Sequence, residues 1–193
     1  FNVLFGSVTA YCLERFRFKF RGLVFSLFYL GMIVPTYVME ISRFKVIQSL
    51  GIYNTLWAPI VIYIASDLMQ IYIYRQFISQ IPVSIEESAL IDGASYPRIF
   101  AQIVFPLLAP ATATLVIIKA VTIINDMYIP YLYMPKTSLK TLTTFLMNYA
   151  SAQQGSWQTL SAGIIVLLLP TVLIYLFFQK YIFEGISMGA VKE

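Results

Sequence analysis

IPVSIEESALIDGASYPRIFAQIVFPLLAP, residues 81–110, is the stretch on which the reading of this chain turns. It is too polar to cross a bilayer and too patterned to be a linker. Pro82, Ser84, Glu86 and Glu87 read as a helix start, with Ser84 as the N-cap. The two carboxylates fall in the first turn, where the helix dipole favours anions. Val83, Leu90, Ile91 and Ala94 recur at near-helical spacing and give one apolar face. Gly93 marks a place where the backbone can turn or accept a close neighbour. Pro97 suits the first turn of a second short helix, about residues 97–104, leading to Pro106. The stretch therefore predicts a compact helix–turn–helix.

What surrounds it is lipid-like. The chain has 193 residues, of which 59% are hydrophobic, 16% aromatic and 11% charged. Its mean hydropathy is +0.77. A soluble domain carries roughly 25% charged residues. Half of that cannot cover a water-facing surface, so an integral membrane protein is expected. A span needs about 20 helical residues. Four full candidates and one stub are visible: Phe1–Leu13 (the stub), Leu23–Met39, Leu56–Tyr74, Pro106–Tyr128 and Leu160–Phe178. The third is interrupted by Asp67 and Gln70, and the fourth contains Lys119. The opening Phe1-Asn2-Val3 reads as the second half of a span whose start lies upstream, without the basic leader of a signal peptide. Pro35 and Pro170 fall inside spans, where each frees a carbonyl and can kink a helix.

Charge sets the expected orientation. Arg15, Arg17, Lys19 and Arg21, with Arg75, Arg98, Lys180 and Lys192, fall on one side of the alternating connections. Arg43, Lys45, Lys136 and Lys140 fall on the other. Excess Lys and Arg marks the cytoplasmic side. The 79–106 loop and the C-terminus should then be cytoplasmic, and Glu40–Thr55 and Ile129–Thr159 external. The latter is long for a structureless loop, despite Pro130, Pro135 and the Gln153–Ser156 turn, and predicts a short helix at about Leu142–Ala150.

Several functions are excluded. There is no histidine, so the commonest general base, the usual zinc ligand and every Ser-His or Cys-His pair are missing. Cys12 stands alone, so no internal disulfide forms. No G-x-x-x-x-G-K-[ST] phosphate loop is present, so this chain does not itself bind ATP that way. No metal site, bound cofactor, catalytic residue or nucleic-acid partner is expected.

Within residues 81–110, Glu87-Ser88-Ala89, three residues, Gly93, nine residues, Ile103, one residue and Phe105-Pro106 resemble the EAA loop of ABC-importer permeases. Ser88 and Phe105 depart from that pattern conservatively. Asp92-Gly93-Ala94 and Phe100 match the form found in sugar importers, and the resemblance takes Glu86 into the coupling loop with them. Leu50–Thr55, Arg75-Gln76-Phe77, Ile81-Pro82, Asn125-Asp126 and the tail Phe183–Lys192 also resemble maltose-type carbohydrate permeases, over nearly the whole chain. The resemblance implies an all-α polytopic helical bundle of the type I importer permease kind, a single transmembrane domain over 1–193 with about five spans present of six. It implies a transport subunit in a bacterial cell membrane, importing carbohydrate, for example an oligosaccharide. Its partners would be an ATPase dimer carrying the ATP and magnesium, a second homologous permease, and an extracytoplasmic sugar-binding protein. The 79–106 loop would couple to the ATPase. A permease for another solute remains open as an alternative. So does a membrane-surface helix without a partner.

Other residues invite weaker readings. Asp67 and Lys119 lie in candidate spans, where a charge costs about 2.5–3.5 kcal/mol on insertion scales. They are expected to pair or to face a shared aqueous cavity, or to make separate packing contacts. They are also the sole support for a secondary transporter. Asn125, Asp126 and Tyr128 are candidates for the solute pathway, with helix capping or interfacial anchoring as the alternative.

Overall fold

α1 (Asn2–Arg15) opens the computed structural model, which describes residues 1–65, 67–151 and 156–190. It is followed by α2 (Arg21–Ile33), α3 (Thr36–Ser49), α4 (Trp57–Ile64) and α5 (Leu68–Gln80). Then come α6 (Val83–Ile91), α7 (Tyr96–Ile99), a π-helical turn (Phe100–Val104) and α8 (Phe105–Leu107). The last elements are α9 (Ala109–Asn125), α10 (Tyr128–Tyr133), a 3-10 turn (Thr137–Leu139), α11 (Leu142–Ser151) and α12 (Trp157–Ala190). The structure is 81% helical, with no strand among the described residues.

The chain packs as two compact units. The first holds Phe1–Pro35 and Ala65–Val116, with the chain from Lys180 onward. Its core is α1 laid along α5. Ala10, Tyr11, Leu13, Ile71, Tyr74 and Ile78 are buried there with Ile99, Val104 and Leu108. Where these helices lie in the membrane, the gain is close packing rather than removal from water. The approach is close: a Cβ on Gly6 would sit 3.1 Å from Cδ of Gln70. The Tyr74 hydroxyl donates to Thr112 Oγ1 at 3.0 Å, so even this buried phenol is satisfied. α2 joins through charge. Arg75 donates to Glu14 at 2.6 Å and stacks 4.1 Å from the Phe25 ring centre.

The second unit holds Thr36–Ile64 and Ile117–Gln179. Its small core is Ile47, Ala58, Ile129 and Tyr133. Asn54, at φ 58°, turns the chain there. Its N–H donates to the Tyr133 carbonyl and its Oδ1 accepts from the Lys136 N–H, both at 3.0 Å. Asn tolerates the left-handed region better than other side chains do.

Among the described residues two stretches are long and apolar enough to cross a membrane, Trp57–Gln80 (24 residues) and Trp157–Gln179 (23 residues), or up to four if the bent pairs Arg21–Ile33 with Tyr37–Ser49 and Tyr96–Leu107 with Ala109–Asn125 each count as one span. None of the most apolar window of Trp157–Gln179 is buried, and α2 buries no residue either. A helix that is apolar all round and uncovered suits lipid or a partner subunit.

The span expected at Leu23–Met39 is not continuous: α2 stops at Ile33 and α3 begins at Thr36. Pro35 is the physical reason, because it cannot donate and disfavours helix in the residue before it. Pro170, by contrast, lies inside an unbroken α12. The span expected at Leu56–Tyr74 breaks around Asp67 and runs on to Gln80, while Gln70 is simply helical. The helix expected from Pro106 starts at Ala109, after a 76° bend at Leu108, and stops at Asn125. The short helix expected at Leu142–Ala150 is α11. Lys192 and residues 153–155 of the expected turn lie outside the described residues.

Candidate functional site

α6 and α7 form the helix–turn–helix that residues 81–110 led us to expect, though Ser84 is not its cap. Pro82 precedes the first helical residue and no side chain caps it. The Ile85 N–H is taken by the Pro82 carbonyl, at 3.3 Å. Ser84 instead lends its carbonyl to the Ser88 hydroxyl, at 2.8 Å.

The turn after α6 has a definite geometry. Gly93 has φ +82°. Its N–H donates to the Leu90 carbonyl at 3.0 Å, and the Ala94 N–H to the Ala89 carbonyl at 2.9 Å. This pair of bonds is the Schellman closure, which puts a left-handed residue after the helix and favours glycine there. Nothing lies within 4 Å of a Cβ built on Gly93, so the demand is on the backbone alone.

The element has two faces. Glu86, Ala89, Ala94, Phe100 and Ile103 turn inward: Glu86 is buried, and the others pack against the first unit's core. Phe100 meets Tyr11 with ring centres 5.2 Å apart. Val83, Ile85, Glu87, Ser88, Leu90, Ile91 and Asp92 face outward, Ile91 being 86% exposed. Pro106 is exposed in the first turn of α8. Between α7 and α8 the chain widens into the π-helical turn, closed by the Phe105 N–H on the Phe100 carbonyl. Such turns re-aim side chains at the expense of regular bonding.

Sequence reasoning missed what holds the inward face. Glu86 Oε2 accepts from the Tyr11 hydroxyl at 2.8 Å, and Oε1 from Arg15 Nε at 2.6 Å. Arg15 donates further to the carbonyls of Ile78, at 2.9 Å, and Ile81, at 2.7 Å. Tyr11 and Glu86 are 75 residues apart, so no local pattern announces the contact.

The remaining candidates are placed as follows. Asp126 Oδ1 accepts from the N–H groups of Tyr128 and Ile129, and Oδ2 from the Tyr63 hydroxyl at 2.8 Å. It thus starts α10 and ties it to α4. Asn125 donates to the Val121 carbonyl and to Thr171 on α12. Tyr128 stands edge-on to Tyr37, with ring centres 5.3 Å apart. Asp67 is exposed and accepts from the Gln70 N–H at 3.1 Å, which makes it the N-cap of α5. Lys119 is half-buried on α9, in the second unit. That unit also has an open cleft of about 310 Å³, lined by Tyr53, Tyr131, Lys140, Thr144 and Asn148. Rings, a cation, a hydroxyl and an amide together can stack on and hydrogen-bond a polar solute.

Apolar helices with little internal cover and a structured polar excursion define a helical membrane bundle. Residues 2–187 match the family of binding-protein-dependent transport system inner membrane components, and the chain belongs to that family. The melibiose/raffinose/stachyose import permease protein MelC of Bacillus subtilis is 35% identical over 192 residues, covering 98% of this chain and 70% of its own length. The multiple sugar-binding transport system permease protein MsmG of Streptococcus mutans is 35% identical over 195 residues, with 98% and 70% covered. The galactooligosaccharides transport system permease protein GanQ of Bacillus subtilis is 32% identical, with 99% and 68% covered. The fold matches a chain in the crystal structure of a bacterial ABC transporter involved in import of the acidic polysaccharide alginate. The TM-score is 0.76 at 22% identity, with 93% of this chain and 72% of that one covered.

Proposed function

We propose that this chain is the permease subunit of an ATP-driven ABC importer for carbohydrates, with oligosaccharides as the favoured class. Its sugar relatives and its family support that reading. The chain itself is a transport subunit and leaves hydrolysis to a partner. In this reading ATP and magnesium sit on an ATPase dimer, a second homologous permease completes the pathway, and an extracytoplasmic binding protein delivers the solute. The 79–106 loop and the C-terminus face the cytoplasm, on the strength of the basic residues at 15–21.

The observation that carries the coupling role is the outward face of α6. Exposed Leu90 and Ile91 beside Glu87 on a rigid, glycine-closed helix need a partner surface. A short stiff helix transmits displacement where a slack loop absorbs it. Lipid is the competing partner, but the helix closes after 9 residues in the polar turn at 92–95 rather than continuing into a span.

The test is ATP hydrolysis and uptake by the full-length permease reconstituted with the products of its neighbouring genes. Hydrolysis stimulated by a sugar-loaded binding protein is expected. Gly93→Asp should insert normally and lose uptake, because it sets a side chain and a charge on the open turn that presents α6 to its partner. Full ATP-driven uptake by Gly93→Asp would overturn the assignment.

A further inference from the structure

α6 has one buried residue, and it is a carboxylate: Glu86. Its other inward contact is the small Ala89, and it is flanked by the Ile81-Pro82 step on one side and the polar turn at 92–95 on the other. Apolar packing alone therefore holds this helix loosely. Arg15 supplies the rest. It sits in the last turn of α1, bonds Glu86, and reaches the carbonyls of Ile78 and Ile81 where α5 ends. A helix C-terminus leaves acceptors open and attracts a cation. One guanidinium thus joins three elements.

We propose that Glu86 is the positioning residue that makes α6 move as one body with α1. A push on the outward face of α6 passes through Glu86, Tyr11 and Arg15 into α1, instead of being taken up by the turns on either side. This rests on the reading of α6 as the ATPase-docking helix. Drawing the cluster apart would strand a carboxylate and a guanidinium away from water, so it resists stretching more steeply than an apolar contact of the same size. A buried ion pair adds little net stability over a well-packed apolar replacement. What it adds here is a fixed geometry. Glu87, next in sequence but facing outward, is assigned no such part.

The experiment uses the reconstituted complex of full-length permease, partner permease and ATPase. It measures ATP hydrolysed per sugar imported for Glu86→Gln, Arg15→Gln, Tyr11→Phe and the pair Glu86→Gln/Arg15→Gln, with ATPase content of the complex scored alongside. Glu86→Gln should raise ATP per sugar by about fivefold or more, the usual scale of a coupling between sites. Tyr11→Phe, which deletes a single hydroxyl, should shift the ratio in the same direction by less. It also keeps the test alive should Glu86→Gln fail to insert. The double variant should be no worse than Glu86→Gln, because both lesions open one cluster. A wild-type ratio in Glu86→Gln, or in Tyr11→Phe where Glu86→Gln does not insert, overturns the proposal. So does a double variant that adds both losses. A wild-type complex that holds no ATPase fails differently: it removes the docking reading itself.

Discussion

Each of the two units buries one glutamate against one tyrosine and one arginine, and the two clusters are built differently. In the first, Tyr11, Glu86 and Arg15 connect α1 to α6 across 71–75 residues of sequence. In the second, Glu40 accepts from the Tyr133 hydroxyl at 2.8 Å and from Arg43, three residues on along α3. The ion pair in the first cluster is long-range, and its arginine side chain is 11% exposed. In the second the ion pair is local to one helix, its arginine side chain is 32% exposed, and only the neutral phenol reaches another element. The same three residue types therefore make a charged tie between elements in one place and a hydroxyl tie in the other. A charge that pairs within its own helix is free to serve solubility. A charge that pairs across elements fixes where they stand.

Removing the carboxylates should break the comparison open most widely. Glu86→Ala leaves Arg15 buried without its counter-charge, and a loss of about 3–5 kcal/mol is expected. Glu40→Ala leaves Arg43 able to turn toward water, and the expected loss is about 1–3 kcal/mol, the cost of one unsatisfied group. Denaturant unfolding of the purified permease checks both. Equal losses would mean that exposure of the arginine does not decide the matter.

The phenols sharpen it next. Tyr133→Phe should lose about 1 kcal/mol, the net worth of one hydrogen bond, and should loosen α10 from α3. Burial, and then the bond to Glu40, push the Tyr133 hydroxyl well above its ordinary value. The folded chain therefore holds this proton more tightly than the unfolded chain does. The stabilisation is complete below about pH 10, where free tyrosine begins to ionise, and fades as pH rises further. A pH series of unfolding midpoints should show wild type converging on Tyr133→Phe above that point. Parallel curves would show that the hydroxyl is not what holds the site.

How much of this was legible beforehand follows the range of the contacts. The glycine at 93, the helix over 142–151 and the long apolar α12 were legible because caps, periodicity and hydropathy act within a few turns. Asp67 and Asp126 both fall where hydropathy runs on, and both lend a carboxylate oxygen to N–H groups at a helix start, Asp67 as the N-cap of α5 and Asp126 one residue before the N-cap of α10. Capping was open as an alternative at Asp126 and was not read at Asp67, because a run of apolar residues on both sides hides it. Pro35 could have been read as a break, since proline in mid-span either kinks or stops a helix, but Pro170 shows that the residue alone does not choose. The two clusters could not be read at all. Arg15 sits in a run of four basic residues at 15–21 that signals orientation collectively, and nothing in the run says which member turns inward.

The smallest effect separates the two arginines. Lysine keeps the charge but presents a single ammonium in place of a planar fork of donors. Arg43, a third exposed, uses its guanidinium on a neighbour three residues away along its own helix, so Arg43→Lys, which keeps the charge, should change stability by less than about 1 kcal/mol. Arg15 needs Nε for Glu86 and Nη2 for both carbonyls at once. One ammonium at the end of a flexible stem cannot stand in both places, so Arg15→Lys should lose about 1–3 kcal/mol, one charged hydrogen bond's worth. Raising the salt concentration then divides the two further. Screening weakens the exposed pair and hardly reaches the buried one. The gap between the lysine variants should persist in high salt. A gap that closes there would mean that Arg15 acts by its charge alone, and that the two clusters are the same device at different depths.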